Sequence, residues 1–266
     1  MMRVVSLCDL TGHMVLPWAE AGYECLVFDI QHPAGASSHP LHRNIKRVGC
    51  DLFEKIGYLS AVKIAFAFPP CTDLTGSGAR WWKSKGEAAY VRAMQLVTRC
   101  RDLVDATSAP WMLENPPGRI NSGAGFDSPH PARWEKKWDH IFQPFEYGGY
   151  DGFGKEFWDH GVAGVPGSEL WQKFSDLHKS DSFMVTRLFT AFLEDLYGFK
   201  ISEQSDGYHK KTCLWTGNGF RMPEPRPIPL HARADRIHKC PPGPERANIR
   251  SATPMGFARA VFEANK

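Results

Sequence analysis

Four short apolar runs punctuate the first half of the chain: RVVSLC at 3 to 8, YECLVFDI at 23 to 30, VKIAFAF at 62 to 68 and APWMLEN at 109 to 115. Each has strand length and ends in polar residues, glycine or proline, so each predicts a buried β-strand. Between the last two runs the period changes. From about Gly86 to Thr107, the residues Tyr90, Met94, Val97, Cys100 and Val104 recur at three-to-four spacing, which places one apolar stripe on a helix. Strands alternating with helices predict an α/β fold with a doubly wound, mostly parallel sheet of Rossmann-like type.

The pattern loosens from 121 to 206, a stretch rich in glycine, tryptophan and phenylalanine, where MVTRLFTAFLEDLYGF at 184 to 199 is the clear amphipathic helix. A late strand follows in KKTCLWTG at 210 to 217. After the proline-rich loop MPEPRPIPL comes a closing helix, TPMGFARAVFEAN, with Thr253 as N-cap and Pro254 in the first turn. The chain therefore divides into a core at 1–120, a small accessory segment at 121–206 and a completion of the core at 207–266. No internal repeat or low-complexity tract interrupts it.

Composition narrows the class. With 266 residues, 42% hydrophobic and 23% charged, the chain is that of an ordinary soluble globular protein with a sizeable core. No stretch approaches the roughly 18 apolar residues of a membrane span, and MMRVVSLCDL meets a charge too early for a signal peptide, so a cytoplasmic protein is expected. The seven cysteines are scattered and include no C-x-x-C pair, which fits reduced thiols; His238 and Cys240 alone imply no metal. Net charge is only +3, yet residues 201 to 266 hold eleven Lys/Arg against six Asp/Glu. That excess reads as a polyanion-facing end or as solvated surface.

In sheets of this kind ligands bind beyond the carboxyl ends of the strands. Asp9 to Gly12, Asp29, Asp51, Cys71 and Glu114 stand at those places. Cys71 ends the run AFPPC and Glu114 ends the next strand, so one strand-helix-strand crossover separates a thiol from a carboxylate. Both can converge on one planar ring. A thiolate adding to carbon 6 of cytosine makes carbon 5 electron-rich, and a carboxyl group on ring nitrogen 3 and the exocyclic amine stabilises the adduct. The alternative for Cys71 is packing, since free cysteine is often buried. After it, Gly76, Ser77 and Gly78 predict a mobile loop. Arg80, Lys83 and Lys85 there can neutralise phosphates while Trp81 or Trp82 stacks on bases, unless the tryptophans anchor the loop to the core. Arg233, Arg236, Lys239, Arg246 and Arg250 form a second basic strip, either phosphate-facing or solvated.

PPC at 69 to 71 and ENP at 114 to 116 resemble the signature motifs of DNA cytosine carbon-5 methyltransferases, whose second motif is usually ENV. SLCDLTGHMVLPWAEAGYECLVFDIQH at 6 to 32 is similar to that family's cofactor-binding start, in particular to a compact phage and prophage branch. KKTCLW and RSATPMGFARAVFEAN resemble its later motifs, and together these cover about two thirds of the chain. The resemblance implies S-adenosylmethionine as cofactor, double-stranded DNA as partner, Cys71 as nucleophile, Glu114 as the grip on cytosine and Asn115 as a residue fixing the Cys71 loop. Lys211 is the match for the arginine that reaches the base's carbonyl oxygen, although a lysine is a point charge without the guanidinium fork.

For the cofactor it implies Asp9, Leu10, Thr11 and Gly12 around the methionine portion, Asp29 at the ribose hydroxyls and Asp51 at the adenine amine, with Ile30, Leu52 and Phe68 also among the cofactor-binding residues. Only Gly12 stands where the family commonly has two or three glycines. Asp29 and Asp51 also fit as helix caps. About thirty residues separate KKTCLW from the closing motif, where the family usually places a target recognition domain, so either the 121–206 segment supplies recognition or sequence selectivity is low. The expected activity is cytosine carbon-5 methylation with base flipping, in the host cytoplasm if phage-encoded, with restriction-modification or protection from nucleases as the setting. Another pyrimidine substrate, RNA or a nucleotide, and a catalytically silent DNA-binding protein are the alternatives. A monomer is favoured.

Overall fold

The computed structural model describes residues 2–54, 56, 59–161, 164–177, 182–197, 206–230, 235–243 and 245–266. In chain order the first elements are β1 (Arg3–Leu7), α1 (Leu16–Glu20), β2 (Glu24–Phe28), β3 (Gly35–Ser38), β4 (Ile45–Gly49), β5 (Val62–Ala67), α2 (Trp82–Asp105), β6 (Trp111–Asn115), α3 (Arg119–Ser122) and β7 (His140–Phe142). Then come α4 (Gly152–His160), α5 (Gly167–Leu177), α6 (Ser182–Tyr197), β8 (Thr212–Gly217), α7 (Arg246–Ser251) and α8 (Met255–Asn265). The eight strands form one sheet in the order β3-β4-β2-β1-β5-β6-β8-β7. Strands β4, β2, β1, β5 and β6 run parallel, while β3 on β4 and β8 on β6 are antiparallel. This is the expected Rossmann-like sheet.

The period of two along each strand sorts its side chains between faces. On one face Val5, Leu7, Leu26, Phe28, Ala65, Ala67 and Leu113 join Tyr90, Met94, Val97, Cys100 and Val104 of α2 in a single core. The stripe read from the sequence is the stripe that packs. Each large side chain so buried contributes about 1.5–3 kcal/mol. Cys25, on the other face, directs its Sγ at the Val15 carbonyl oxygen, 3.6 Å away, at the start of α1. Helix α1, with Pro17, Trp18 and Ala19 buried, therefore packs on this second face.

Three local departures have physical causes. β3 and β4 are absent from the apolar pattern, since GASS is largely exposed and IKRVG sets two adjacent charged residues between its apolar ones. α2 starts at Trp82 rather than Gly86, because Gly86 takes φ 72° and joins two helical pieces across a kink. Thr253 is not the cap of the closing helix: Pro254 holds the N-cap position without a side-chain bond, and Asp206 Oδ2 instead accepts from Gly256 N at 2.7 Å.

The chain forms two compact units, Met1–Ile141 with Lys211–Met222 and Asn265 in the first, and Phe142–Lys210 with Pro223–Ala264 and Lys266 in the second. Of the 207–266 segment placed with the core by sequence, only 211–222 and 265 lie in the first unit. Residues 121–141, grouped by sequence with the accessory segment, lie in the first unit as well. The second unit has its own core of Phe145, Phe157, Leu170, Phe189, Leu193, Ile228 and Leu230. Phe142 stacks on Phe257 with ring centroids 3.9 Å apart. Among the described residues no helix is long and apolar enough to cross a membrane.

Burial pushes the Asp206 carboxyl up to about 6, reinforced by the Asp151 charge and opposed by the Gly256 hydrogen bond. A carboxyl whose folded pKa is raised binds its proton more tightly when folded, so its stabilising contribution is present at acid pH and lost as pH rises through about 6. A rise of that size is worth on the order of 3 kcal/mol. Asp206→Asn keeps an oxygen for the Gly256 amide and should melt higher than the parent at pH 7.5 but not at pH 4, as read by thermal denaturation.

Candidate active site at the carboxyl edge of the sheet

The parallel registers Leu7↔Phe28, Leu7↔Ala67 and Ala67↔Leu113 bring the carboxyl ends of β1, β2, β5 and β6 level. Every loop expected to carry chemistry leaves from that edge. After β1, Asp9 is buried and its carboxylate is fully engaged: Ser6 Oγ donates to Oδ2 at 2.7 Å, and the amides of Thr11 and Gly12 donate to Oδ1 at 3.1 and 2.8 Å. Asp9 thus shapes the loop. Gly12 has φ 67°, and a Cβ there would lie 3.4 Å from the His39 ring. His32 Nε2 lies 3.0 Å from the Asp9 carbonyl oxygen. His32 and His39 thus line this turn.

Asp29 is buried at the end of β2, where its Oδ1 accepts from Gln31 N at 2.8 Å, and Ile30 beside it is 74% exposed. Asp51 is exposed and caps Phe53 N at 3.0 Å; Leu52 is buried, Phe53 exposed and Phe68 half-buried. Carboxylates and bare apolar side chains thus alternate along neighbouring strand ends.

The Cys71 and Glu114 loops are joined. Asn115 Nδ2 donates to the Pro69 carbonyl oxygen at 2.8 Å, buried from solvent. Gly76 N donates to Pro117 O at 3.2 Å, Arg119 N donates to Leu74 O at 2.8 Å, and Thr75 and Gly118 form an antiparallel bridge. Within the turn, the amides of Leu74 and Thr75 both donate to Cys71 O at 2.9 Å, and Cys71 itself is half-buried. Residues Gly76–Trp81, expected as a mobile loop, form a 3-10 helix in which the Ser77 amide donates to the Thr75 hydroxyl.

Glu114 is half-buried and pairs in register with Leu214. Its charge reaches Cys213, whose thiol is pushed up to about 11, chiefly by burial; the Glu114 charge adds to this and that of Lys211 opposes it. Lys211 is exposed just ahead of β8. Cys8 is held well above the ordinary thiol range by hydrogen bonding to Cys100, 3.8 Å away, by burial and by the charges of Asp29 and Asp9. It stays protonated at neutral pH.

Of the expected nucleic-acid contacts, Trp81 is 53% exposed with the Arg80 guanidinium 5.1 Å from its ring, and Lys83 is exposed. Lys85 pairs with Asp73 at 2.5 Å. Trp82 instead packs under the Arg119 guanidinium at 4.6 Å. In the second unit Arg236 lies 4.6 Å over the Tyr208 ring, Lys239 pairs with Asp235 and Arg246 donates to the Cys240 carbonyl oxygen. Arg233 lies outside the described residues. Arg119, which no pattern in the sequence marks, is fully buried within this site. A cavity of about 240 Å³ between Trp111, Trp134 and Trp215 is lined by none of the expected site residues. Among the described residues no group of three His, Cys, Asp or Glu side chains is placed to hold a metal.

No protein-family model matches the chain, and no curated protein does. Among solved structures it is similar to the glycopeptide N-methyltransferase MtfA, complexed with S-adenosylhomocysteine in one structure (12% identity, TM-score 0.26) and with S-adenosylmethionine in another (12%, 0.24). Each alignment covers 46% of this chain and about half of the other, 49% and 51%. Neither likeness carries a substrate or a residue role to this chain.

Proposed function

We propose that the chain is an S-adenosylmethionine-dependent methyltransferase acting on carbon 5 of cytosine in double-stranded DNA through a covalent Cys71 adduct. The observation that carries this reading is the tie between the PPC and ENPPG loops, since a thiol and a carboxylate must hold one ring between them. The strand ends fit the cofactor chemically: Asp29 offers a carboxylate to ribose hydroxyls, Asp51 one to an adenine amine, and Ile30 and Phe53 expose apolar surface for a purine face. S-adenosylmethionine supplies an electrophilic sulfonium methyl group.

The chain's own residues do the rest. The Cys71 thiolate adds to carbon 6 of a cytosine flipped from the helix, making carbon 5 nucleophilic. Glu114, hydrogen-bonded to ring nitrogen 3 and the exocyclic amine, stabilises that adduct. Once carbon 5 carries the methyl group and has lost its proton, the electron pair left behind re-forms the ring double bond and expels the thiolate. Trp81 and Arg80 face solvent where displaced bases and phosphates would lie.

Fluorine at carbon 5 blocks proton loss, so DNA containing 5-fluorocytosine should leave a denaturation-stable adduct whose mass peptide maps to Cys71. Equal trapping on RNA would reassign the substrate. No adduct on any pyrimidine polymer, with cofactor binding retained, would favour a silent binding protein.

A further inference from the structure

Arg119 is wholly buried, yet its hydrogen bonds go to backbone carbonyl groups: Nε donates to Asp73 O at 2.8 Å and Nη1 to Ala124 O at 3.5 Å. Nη2 is buried without a hydrogen bond. Around the guanidinium stand the rings of Trp82, Tyr90 and Phe126, with centroids 4.6, 4.7 and 5.6 Å from Cζ. Its main chain is fixed on both sides, Arg119 N donating to Leu74 O and Tyr90 Oη donating to Arg119 O at 3.2 Å. The Asp73 carboxylate, two residues from the thiol, is turned to Lys85.

Taking a cation out of water is expensive, and aromatic faces return only part of that. A neutral side chain would fill this space more favourably. What the guanidinium adds is a rigid donor reaching one particular carbonyl group, inside the turn whose amides close on Cys71 O. We propose that Arg119 is a positioning residue for Cys71: through the Asp73 and Leu74 carbonyl groups it sets where the PPC turn stands relative to Glu114. This rests on Cys71 being the nucleophile. The aromatic cage keeps water from competing for the Asp73 carbonyl oxygen and holds the guanidinium plane in one orientation.

The test compares the full chain with Arg119→Lys and Arg119→Met. Cys71 alkylation by iodoacetamide is followed by peptide mass spectrometry without DNA or cofactor, with half-buried Cys50 as internal control. Methyl transfer to DNA is measured in parallel. Arg119→Met is expected to raise the Cys71 alkylation rate severalfold while Cys50 stays unchanged, and to lower kcat roughly tenfold or more with little change in KM for the methyl donor. Arg119→Lys, which keeps the charge and one donor, should recover part of both and covers the case in which the methionine variant does not fold. The proposal is overturned if Cys71 reactivity and kcat stay within twofold of the parent. It is equally overturned if Cys50 and Cys71 become reactive together, since that reports general loosening. Should Cys71→Ser remain active, the nucleophile assignment falls, while the alkylation measurement still reads the hold of Arg119 on the turn.

Discussion

Cys71→Ser is expected to reduce methyl transfer to DNA by at least about 10³-fold and to remove the denaturation-stable adduct, while the melting temperature stays close to the parent's. Serine is nearly the same size, and the turn around it is built from backbone groups: Cys71 O accepts from Leu74 N and Thr75 N, and Pro69 O accepts from Asn115. The fold therefore has little reason to change. The chemistry does, because an alkoxide is not available at neutral pH as a thiolate is, and carbon 5 of cytosine is a poor nucleophile without addition at carbon 6. Labelled-methyl incorporation and gel-resolved trapping on 5-fluorocytosine DNA read the two losses separately. Retention of more than a tenth of the parental rate would place the chemistry elsewhere.

Gly118→Ala carries the second large effect, and here the expected loss is structural. A Cβ at Gly118 would sit 1.9 Å from Leu74 O, 2.7 Å from its carbonyl carbon and 2.9 Å from Thr75 Cα. All three are backbone atoms, so no rotamer change relieves the overlap. Gly118 is extended, with φ −177° and ψ −144°, so close approach of the two loops, not backbone conformation, demands glycine. Alanine must part the two loops and break the Thr75–Gly118 bridge. A loss of about 2–4 kcal/mol in denaturant unfolding is expected, together with loss of adduct formation. Gly76→Ala is the control: its nearest neighbour would be Pro117 O at 3.8 Å, ordinary contact, and the expected change is within about 0.5 kcal/mol. Equal stability of the Gly118→Ala protein would mean that the loops are not held as described.

Much of the sheet was legible in the chain because β1, β2, β5 and β6 are buried on both faces and read as continuous apolar runs. Strands β3 and β4, at one end of the sheet, were not. Gly35–Ser38 has no apolar side and Ile45–Gly49 carries lysine and arginine between its apolar residues, so hydrophobicity alone passes over both. Cys71 and Glu114 stood out because their positions follow from strand ends, whereas Arg119 did not, since a sequence carries no mark of a buried cation. Its aromatic cage is assembled from positions 82, 90 and 126, which no spacing in the sequence brings together. The role of Asp206 at the start of α8 was hidden for the same reason, fifty residues separating donor and acceptor.

The pairing of β8 with β6, from Trp111↔Gly217 to Asn115↔Cys213, has a consequence for how the protein emerges from the ribosome. Strand β6 is synthesised about a hundred residues before its partner, so the nascent chain presents an open, apolar sheet edge throughout that interval. Edge-to-edge association between growing chains is the hazard during translation, and truncations that end before residue 212 should aggregate rather than fold to a smaller version of the sheet.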